Sequence, residues 1–250
     1  MTPSFTDRGV RPVAAGRQTV RRPYVTYTLM AINIAVFVAT VVQAGSANPD
    51  LSSIITHGEL VRGSVFTGEY WRLFTAGFLH YGLLHIAVNM ISLYILGRDL
   101  EVALGPARFL MVYVTSLFGG SAAVMLFQAD LARSAGASGA LFGLMGALLV
   151  VVLKLRVSPV PVMTIIALNL VLSFSLPGVS VPAHVGGLIF GAASAAAVIY
   201  LPGAILPPQR RTPERASAVG WIAMAVLLVV ALGIGVGVGL AHTGPAWVYV

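Results

Sequence analysis

Seven long apolar stretches, separated by short polar or turn-forming segments, dominate the chain. They run over residues 24–44, 82–97, 108–128, 138–153, 159–176, 183–201 and 217–241. The breaks between them contain turn-forming pairs such as Gly105-Pro106 and Ser158-Pro159. A helix needs about 20 predominantly apolar residues to cross roughly 30 Å of bilayer hydrocarbon. The pattern therefore predicts an all-α polytopic membrane protein with seven spanning helices, several of them short.

The composition agrees with this pattern and excludes other classes of protein. Of the 250 residues, 58% are hydrophobic and 9% are charged, whereas soluble domains carry about 25% charged residues, so a water-soluble globular protein is excluded. The net charge is +7, but the arginines are scattered singly, which argues against nucleic acid as a partner. The chain has no cysteine, which excludes disulfides, thiolate nucleophiles and Cys-ligated metals. The Arg-, Ala- and Gly-rich usage favours a bacterial source.

The basic residues predict the direction of every span, because Lys and Arg are retained on the cytoplasmic side of a membrane. With the N-terminus inside, the outer segments hold only Arg62, Arg72 and Arg133, and the other 12 of the 15 basic residues lie inside. We therefore predict a cytoplasmic N-terminus and an outer C-terminus, in the inner (plasma) membrane of a bacterial cell. The outer segment of about 35 residues between the first two spans is too long for a tight turn, so we expect it to pack on the bundle or lie at the interface.

Polar side chains in three of the spans lie at one predicted depth. At 1.5 Å of rise per residue, their heights above the inner ends of their spans are about 20 Å for His85, 24 Å for Ser138 and 26 Å for His184. All three spans run from outside to inside, so these side chains share a level just below the outer edge of the hydrocarbon. A polar side chain in lipid costs free energy unless it is paired or faces a cavity. The shared level therefore indicates a functional site that opens toward the outer face.

Ser138 lies between Gly136 and Gly139 at the predicted start of the fourth span. The two glycines let the backbone approach a substrate, and the first N–H groups of the helix are free to bind a developing oxyanion. These properties suit a serine nucleophile. The alternative is that Ser138 only caps the helix, while Gly139 and Gly143 form a close-packing face.

His184 opens the sixth span, where Ala183, Gly187 and Gly191 recur at four-residue intervals. This smooth face can press against the small face of the fourth span and bring the imidazole within reach of Ser138. A neutral histidine near pH 7 can take the proton of a serine hydroxyl. The alternative is a buried histidine that bonds a backbone carbonyl.

Other polar residues have secondary predicted roles. His85 and Asn89 are four residues apart and share a helix face, so they can act on one substrate atom. His80 is predicted to point about 140° away from His85 on a regular helix, which argues against a zinc site. Spans four to six contain no carboxylate, and nothing in the sequence positions Asp130 of the outer loop, so we predict a Ser-His dyad rather than a triad.

Three charged residues at the inner interface and two histidines in outer segments are expected to have no catalytic role. We expect Arg98, Asp99 and Glu101 to form an ion cluster at the inner interface. His57 and His242 fall in outer segments and are expected to be solvated.

The motifs resemble those of the rhomboid family of intramembrane serine proteases. The resemblance covers about Tyr70 to Tyr200. It rests on motifs in family order, which are Trp71-Arg72, His80-x4-His85-x3-Asn89, Glu101 with Gly105 and Arg108, Gly136-x-Ser138-Gly139, and Ala183-His184-x-Gly186-Gly187.

The resemblance implies a role for each site residue. Ser138 is the implied nucleophile and His184 the general base, and the implied oxyanion hole consists of His85, Asn89 and the Ser138 amide. The implied supporting positions are Gly136, Gly139, Phe142, His80, Trp71 and Arg72. Relatives often carry tyrosine where this chain has Phe142, so ring packing against the histidine is kept and the hydroxyl is lost.

The resemblance also implies an architecture and a substrate. We expect a cytoplasmic Arg-rich segment at 1–23, a rhomboid-like six-helix core at 24–201, a cytoplasmic linker at 202–216, and a seventh helix with a short outer tail at 217–250. The implied substrates are transmembrane segments of other membrane proteins, with membrane lipid as the surroundings and no cofactor or metal. The loop that carries Trp71 and Arg72 is a candidate membrane anchor, and residues 176–182 are a candidate lid.

Two other classes of function remain open from the sequence. A transporter or channel could use histidine and asparagine side chains within the membrane, but it needs polar residues along its whole depth. A noncatalytic membrane chaperone could keep the same fold, but it has no need of both Ser138 and His184.

Overall fold

The structure, a computed structural model, describes residues 22–50 and 52–242, and its regular elements are helical. The long helices are α1 (Tyr24–Ala44), α5 (Leu83–Leu104), α6 (Pro106–Phe127), α7 (Ser138–Lys154), α8 (Val160–Ser175), α9 (Val181–Ile199) and α11 (Pro213–Ala241). The short ones are α2 (Ser53–Gly58), α3 (Arg62–Phe66), α4 (Arg72–Thr75) and α10 (Leu201–Ile205). Five long helices suffice to cross a membrane, and α7 and α8 are shorter apolar helices. The predicted all-α membrane fold is confirmed.

Most helix ends lie within a few residues of the predicted ends. Helix α5 differs most, because it continues to Leu104 instead of ending at residue 97. Helix α11 begins at Pro213 rather than at 217, since Thr212 caps it by accepting a hydrogen bond from the Arg215 N–H. The expectations for residues 1–21 and 243–250, which include nearly all of the Arg-rich segment and the outer tail, lie outside the described residues.

Glu101 corrects the expected ion cluster at the inner interface. Its buried carboxylate accepts hydrogen bonds from the Val25 N–H (3.0 Å), the Thr26 N–H (2.8 Å) and the Thr26 hydroxyl (2.8 Å). A carboxylate is favoured there because the first N–H groups of a helix lack partners within the helix. Only Arg98 and Asp99 form the expected pair, at 3.0 Å. Glu101 therefore fastens the start of α1 to the end of α5.

Helix α6 lies at the centre of the bundle and packs against α7, α9 and α11. Its side chains Phe109, Val112 and Tyr113 are fully buried and pack with Leu93 of α5 and Leu144 of α7. Helices α1 and α8 lie at the periphery, and α8 buries only Ile166 and Ser173. The core therefore holds α7 and α9, which carry the candidate site, against a fixed central helix.

The outer segment between α1 and α5 packs on the bundle, as predicted. It folds into α2, α3, α4 and a 3₁₀ turn, and its side chains Leu60, Val65 and Leu73 are buried against Val124 and Met125 at the end of α6. The segment is therefore a folded cover on the end of the bundle where α5, α7 and α9 begin.

Arg72, in the loop that is the candidate membrane anchor, is itself a buried residue that ties the loop together. Its side chain is buried, it pairs with Glu69 at 2.5 Å, and its guanidinium donates to the carbonyls of Thr56 (2.8 Å) and Glu59 (2.7 Å). A guanidinium has five donors, so it can tie several backbone segments together. Trp71 is half exposed and donates from its indole N–H to the His57 carbonyl at 2.9 Å.

His242 is not simply solvated, which corrects a second expectation. Its ring stacks on Phe66 with centroids 3.8 Å apart, and the Arg62 guanidinium lies 5.4 Å from the Phe66 ring centroid. His57 is exposed as expected, with Nδ1 at 2.8 Å from the Ser53 carbonyl. The contact of His242 places the end of α11 against the outer cover.

Candidate active site

The structure brings the side chains of Ser138 and His184 together. The Ser138 hydroxyl lies 2.8 Å from Nε2 of His184, and the imidazole is buried. Ser138 is the first residue of α7, and the cap position before it is Ala137. Ser138 is therefore not the cap residue, and its hydroxyl contacts His184 instead, so the alternative of a simple helix cap is wrong. A hydroxyl beside a neutral imidazole nitrogen is the arrangement that activates a serine for nucleophilic attack.

Glycines place the two helices at backbone contact. A Cβ on Gly187 would lie 1.9 Å from the Gly139 carbonyl oxygen, and a Cβ on Gly191 would lie 2.2 Å from the Gly143 carbonyl oxygen. The two pairs follow each other at the same four-residue spacing, so α7 and α9 run parallel. Small residues allow this approach within a membrane. The predicted packing of the fourth span on the sixth is confirmed, and it sets how far His184 stands from Ser138.

Phe142 fixes the plane of the imidazole. Its ring stacks on His184 with centroids 4.1 Å apart and planes 15° apart. Phe142 lies one helical turn after Ser138 on the same face of α7. It therefore contacts the flat face of the His184 ring, while the edge of that ring contacts Ser138. The ring packing expected at this position is present without a hydroxyl.

Ser173 of α8 contacts the other nitrogen of His184, a contact that the sequence motifs do not predict. Its hydroxyl lies 2.7 Å from Nδ1, and the side chain is 4% exposed. Asp130 is instead paired with Arg62 at 3.1 Å. The alternative of a histidine bonded to a backbone carbonyl is wrong, because both ring nitrogens meet serine hydroxyls. A signal was present in the sequence, since Asn169 and Ser173 are two polar residues four apart on one face of an apolar helix.

His85 faces Ser138 across Gly136. A Cβ on Gly136 would lie 2.8 Å from Nε2 of His85 and 3.6 Å from the Ser138 hydroxyl, so both side chains border one small space. Gly136 has a φ of 128°, a conformation that favours glycine. The Tyr81 N–H donates to Nδ1 of His85 at 3.5 Å. Because Nδ1 accepts this bond, a neutral His85 ring carries its proton on Nε2, which faces the space beside Ser138. Asn89 is buried one turn further along α5.

His80 lies beside His85, which corrects the predicted divergence of the two rings. Helix α5 begins at Leu83, so His80 precedes it and the helical angle does not apply. The ring centroids are 4.9 Å apart in an edge-to-face arrangement, and His80 is fully buried. Burial and the neighbouring His85 lower the pKa of His80 to about 3. His80 is therefore a neutral ring that supports one side of His85.

The outer loops are joined above His85 by a buried carboxylate. Glu59 accepts hydrogen bonds from Nε of Arg133 (2.7 Å) and from the Tyr81 hydroxyl (2.8 Å). The bond to Glu59 raises the pKa of Arg133, and burial together with Glu59 raises the pKa of Tyr81. The Tyr81 ring in turn stacks on His85, with centroids 6.2 Å apart. These contacts hold the outer loops in fixed positions around the candidate site.

The segment expected to act as a lid is tied down near its end. The Ser180 hydroxyl donates to the Gln128 side chain at 2.5 Å and accepts a hydrogen bond from the Ala183 N–H at 3.3 Å. Residues 176–178 are exposed. Within residues 22–50 and 52–242, no three His, Asp or Glu side chains gather in a way that could hold a metal ion.

Comparisons with known proteins agree with these motifs. Residues 67–201 match the sequence model of the Rhomboid domain. The chain is 36% identical to Rhomboid protease GluP of Bacillus subtilis over 210 residues, which cover 82% of this chain and 40% of GluP. It is 40% identical to RHOMBOID-like protein 5 of Arabidopsis thaliana over 151 residues, which cover 57% of this chain and 48% of that protein.

A third relative is matched over most of its length. Rhomboid protease AarA of Providencia stuartii is 29% identical over 206 residues, which cover 71% of this chain and 73% of AarA. The chain spans less than half the length of GluP and of RHOMBOID-like protein 5. The matched Rhomboid domain nevertheless extends over more than half of this chain. The chain belongs to the rhomboid family.

Proposed function

We propose that this chain is an intramembrane serine endopeptidase that uses Ser138 as nucleophile and His184 as general base. The observation that carries the proposal is the 2.8 Å contact between the Ser138 hydroxyl and Nε2 of a buried imidazole, whose plane is fixed by Phe142. The names of GluP and AarA, both rhomboid proteases, support the same reaction.

The first chemical step is attack of the Ser138 oxygen on the carbonyl carbon of a substrate peptide bond. As the bond forms, the hydroxyl proton passes to Nε2 of His184, and negative charge develops on the carbonyl oxygen. Donors for this charge are the Ser138 N–H at the start of α7 and the Nε2 proton of His85, with Asn89 further along the same face. His184 then gives its proton to the leaving amine, which leaves an acyl-enzyme.

The second step needs water, because an ester must be hydrolysed to release the other half of the substrate. A cavity of about 30 Å³ lies beside the site and is lined by Gly136, Ser134 and Ala183, among others. One water molecule needs roughly 10–15 Å³ of such space together with polar partners. The cavity is large enough for one or two water molecules close to the acyl-enzyme.

The substrates proposed are transmembrane helices of other proteins, which unwind locally and present an extended segment to Ser138. Irregular backbone is tolerated within a membrane only where it is enclosed by protein or lines a watery cavity. Small residues near the cleaved bond suit the narrow space between Gly136 and His85. The charge distribution supports a site that opens toward the outer face, and the composition favours a bacterial inner membrane. Residues 24–201 are the proposed catalytic core.

The experiment is cleavage of a fluorescent transmembrane substrate by the full chain purified in detergent. Wild-type protein should cleave it and Ser138→Ala and His184→Ala should not, while Ser175→Ala and His57→Ala, which alter exposed side chains, should behave as wild type. A fluorophosphonate probe should label wild-type protein on Ser138. Cleavage that persists in Ser138→Ala would refute the proposed nucleophile, and wild-type protein that neither cleaves nor labels would refute the enzymatic function.

A further inference from the structure

We propose that Ser173 is a positioning residue that fixes the tautomer of His184. Its hydroxyl oxygen accepts the proton on Nδ1, and this leaves Nε2 unprotonated where it faces Ser138. The inference deepens the proposed function and rests on it for its catalytic meaning, although the tautomer can be measured without any activity.

The hydrogen bonds of the Ser173 hydroxyl determine which way its proton points. The hydroxyl oxygen lies 2.6 Å from the Asn169 carbonyl oxygen and 2.7 Å from Nδ1 of His184. A serine has one proton to donate, whereas a carbonyl oxygen can only accept. Two oxygens 2.6 Å apart need a proton between them, so the Ser173 proton points to Asn169. The lone pairs of the Ser173 oxygen are then left for Nδ1, which must carry a proton to complete that contact.

The consequence for His184 follows from the chemistry of a neutral imidazole. One ring nitrogen carries a proton and the other is an acceptor, and the partner of the first selects the tautomer. With its proton on Nδ1, the ring has a lone pair on Nε2, 2.8 Å from the Ser138 hydroxyl. The opposite tautomer would place an N–H on Nε2, and the ring could no longer take the serine proton.

Ser173 stays in contact with the ring during the proposed reaction. When the Ser138 proton moves to Nε2, the imidazole becomes a cation with protons on both nitrogens. The Nδ1 proton remains bonded to the Ser173 oxygen, and the Ser173 proton remains on its own oxygen, directed at the Asn169 carbonyl. No proton passes through Ser173. Its part is to hold the ring and to present negative partial charge to the cation, the part that a buried carboxylate has in a triad.

The position of Ser173 on α8 is specific to this role. Ser175 lies on the same helix, and its hydroxyl also bonds the carbonyl four residues earlier, that of Val171, at 2.8 Å. Ser175 is exposed, whereas Ser173 and Ile166 are the two buried side chains of α8. Ser175→Ala therefore removes the same kind of helix hydrogen bond without touching His184, and it is the matched control.

The first test measures the tautomer by ¹⁵N NMR of the full chain with labelled histidine rings, near neutral pH. The protonated and unprotonated nitrogens of a neutral imidazole resonate in separate regions, and the His184→Gln variant identifies the signals of His184. We expect wild-type protein and Ser175→Ala to show a proton on Nδ1 alone, and Ser173→Ala to show a mixture of tautomers. A proton on Nε2 in wild-type protein, or an unchanged tautomer in Ser173→Ala, would overturn the inference.

The second test separates positioning from folding. Loss of a hydrogen bond to a group that becomes charged corresponds to a rate loss of roughly 10- to 150-fold. We expect Ser173→Ala to lower kcat and the rate of fluorophosphonate labelling by such a factor with KM unchanged, and Ser173→Thr, which keeps the hydroxyl, to recover most of the rate. Equal losses in Ser173→Ala and Ser175→Ala, or full activity in Ser173→Ala, would argue against it. If wild-type protein has no activity at all, the proposed function fails, and the NMR result alone decides the role of Ser173.

Discussion

Gly187→Ala should abolish the proposed serine chemistry by moving His184 away from Ser138. A Cβ at this position would lie 1.9 Å from the Gly139 carbonyl oxygen, whereas ordinary contact begins at 3.4 Å. The two helices must therefore separate by about 1.5 Å unless the backbone bends. A backbone carbonyl oxygen in a helix cannot move aside by a change of rotamer as a side chain can. The clash is therefore relieved only by moving α9 away from α7.

The magnitude follows from the same distances. The contact between Nε2 and the Ser138 hydroxyl is 2.8 Å, and an added separation of this size takes it beyond hydrogen-bond range. A misplacement of about 1 Å can lower an enzymatic rate by roughly 100-fold, and overpacking a core costs about 1–3 kcal/mol of stability. We expect at least that loss of rate, together with a lower unfolding temperature.

The assay is the rate of fluorophosphonate labelling of Ser138, measured in detergent beside substrate cleavage and thermal unfolding. Gly233→Ala is the control, because a Cβ on that residue of α11 meets nothing within 4 Å. It should label at the wild-type rate. If Gly187→Ala is labelled at the wild-type rate, the spacing of the two helices does not set the distance between Ser138 and His184.

Three further outcomes are expected. Glu101→Ala should lower the free energy of unfolding by about 2 kcal/mol, because the first turn of α1 loses a charged cap, and Glu101→Gln should lose less; unchanged unfolding of Glu101→Ala would contradict this. His80 has a folded-state pKa of about 3, below its ordinary value of 6.5, so the unfolded chain binds a proton more readily than the folded chain. The free energy of unfolding is therefore highest above pH 6.5 and falls as the pH falls, with a slope that approaches about 1.4 kcal/mol per pH unit. Thermal unfolding between pH 7.5 and 5 should show a smaller slope for His80→Phe than for wild type, and equal slopes would oppose it. Phe142→Ala should lower kcat by about tenfold through loss of stacking on His184, with Phe142→Tyr close to wild type in the cleavage assay, and an unaffected kcat would exclude a role for the ring.

The sequence was sufficient to predict the seven long helices and the proximity of Ser138 to His184. Apolar runs must be helical in lipid, because every backbone hydrogen bond has to be made within the chain. The rise per residue then placed Ser138 and His184 at one level, and the four-residue spacing of small residues placed α7 against α9. These inferences needed the periodicity of a helix, the cost of polar groups in lipid and the direction of the spans given by the basic residues.

The contacts that the sequence did not reveal are those made across loops or by backbone groups. Glu101 binds the N–H groups of Val25 and Thr26, which no pattern of side chains discloses. The predicted divergence of His80 from His85 is wrong because the angular spacing of a regular helix does not apply to His80, which precedes α5. Ser173 resembled an ordinary polar residue in an apolar helix, since its partner lies eleven residues later along the chain and beyond a turn.

The glycine contacts between α7 and α9 bear on how the protein behaves in bilayers of different thickness. A spanning helix adapts to a thicker or thinner bilayer by tilting. Where two helices contact each other through side chains, changes of rotamer allow one helix to tilt relative to the other. Functional groups on the two helices then move apart. Here the Gly139 and Gly143 backbones meet the backbone of α9 directly, so both helices must tilt as one body. We therefore expect the distance between the Ser138 hydroxyl and His184 to stay the same in thin and thick bilayers.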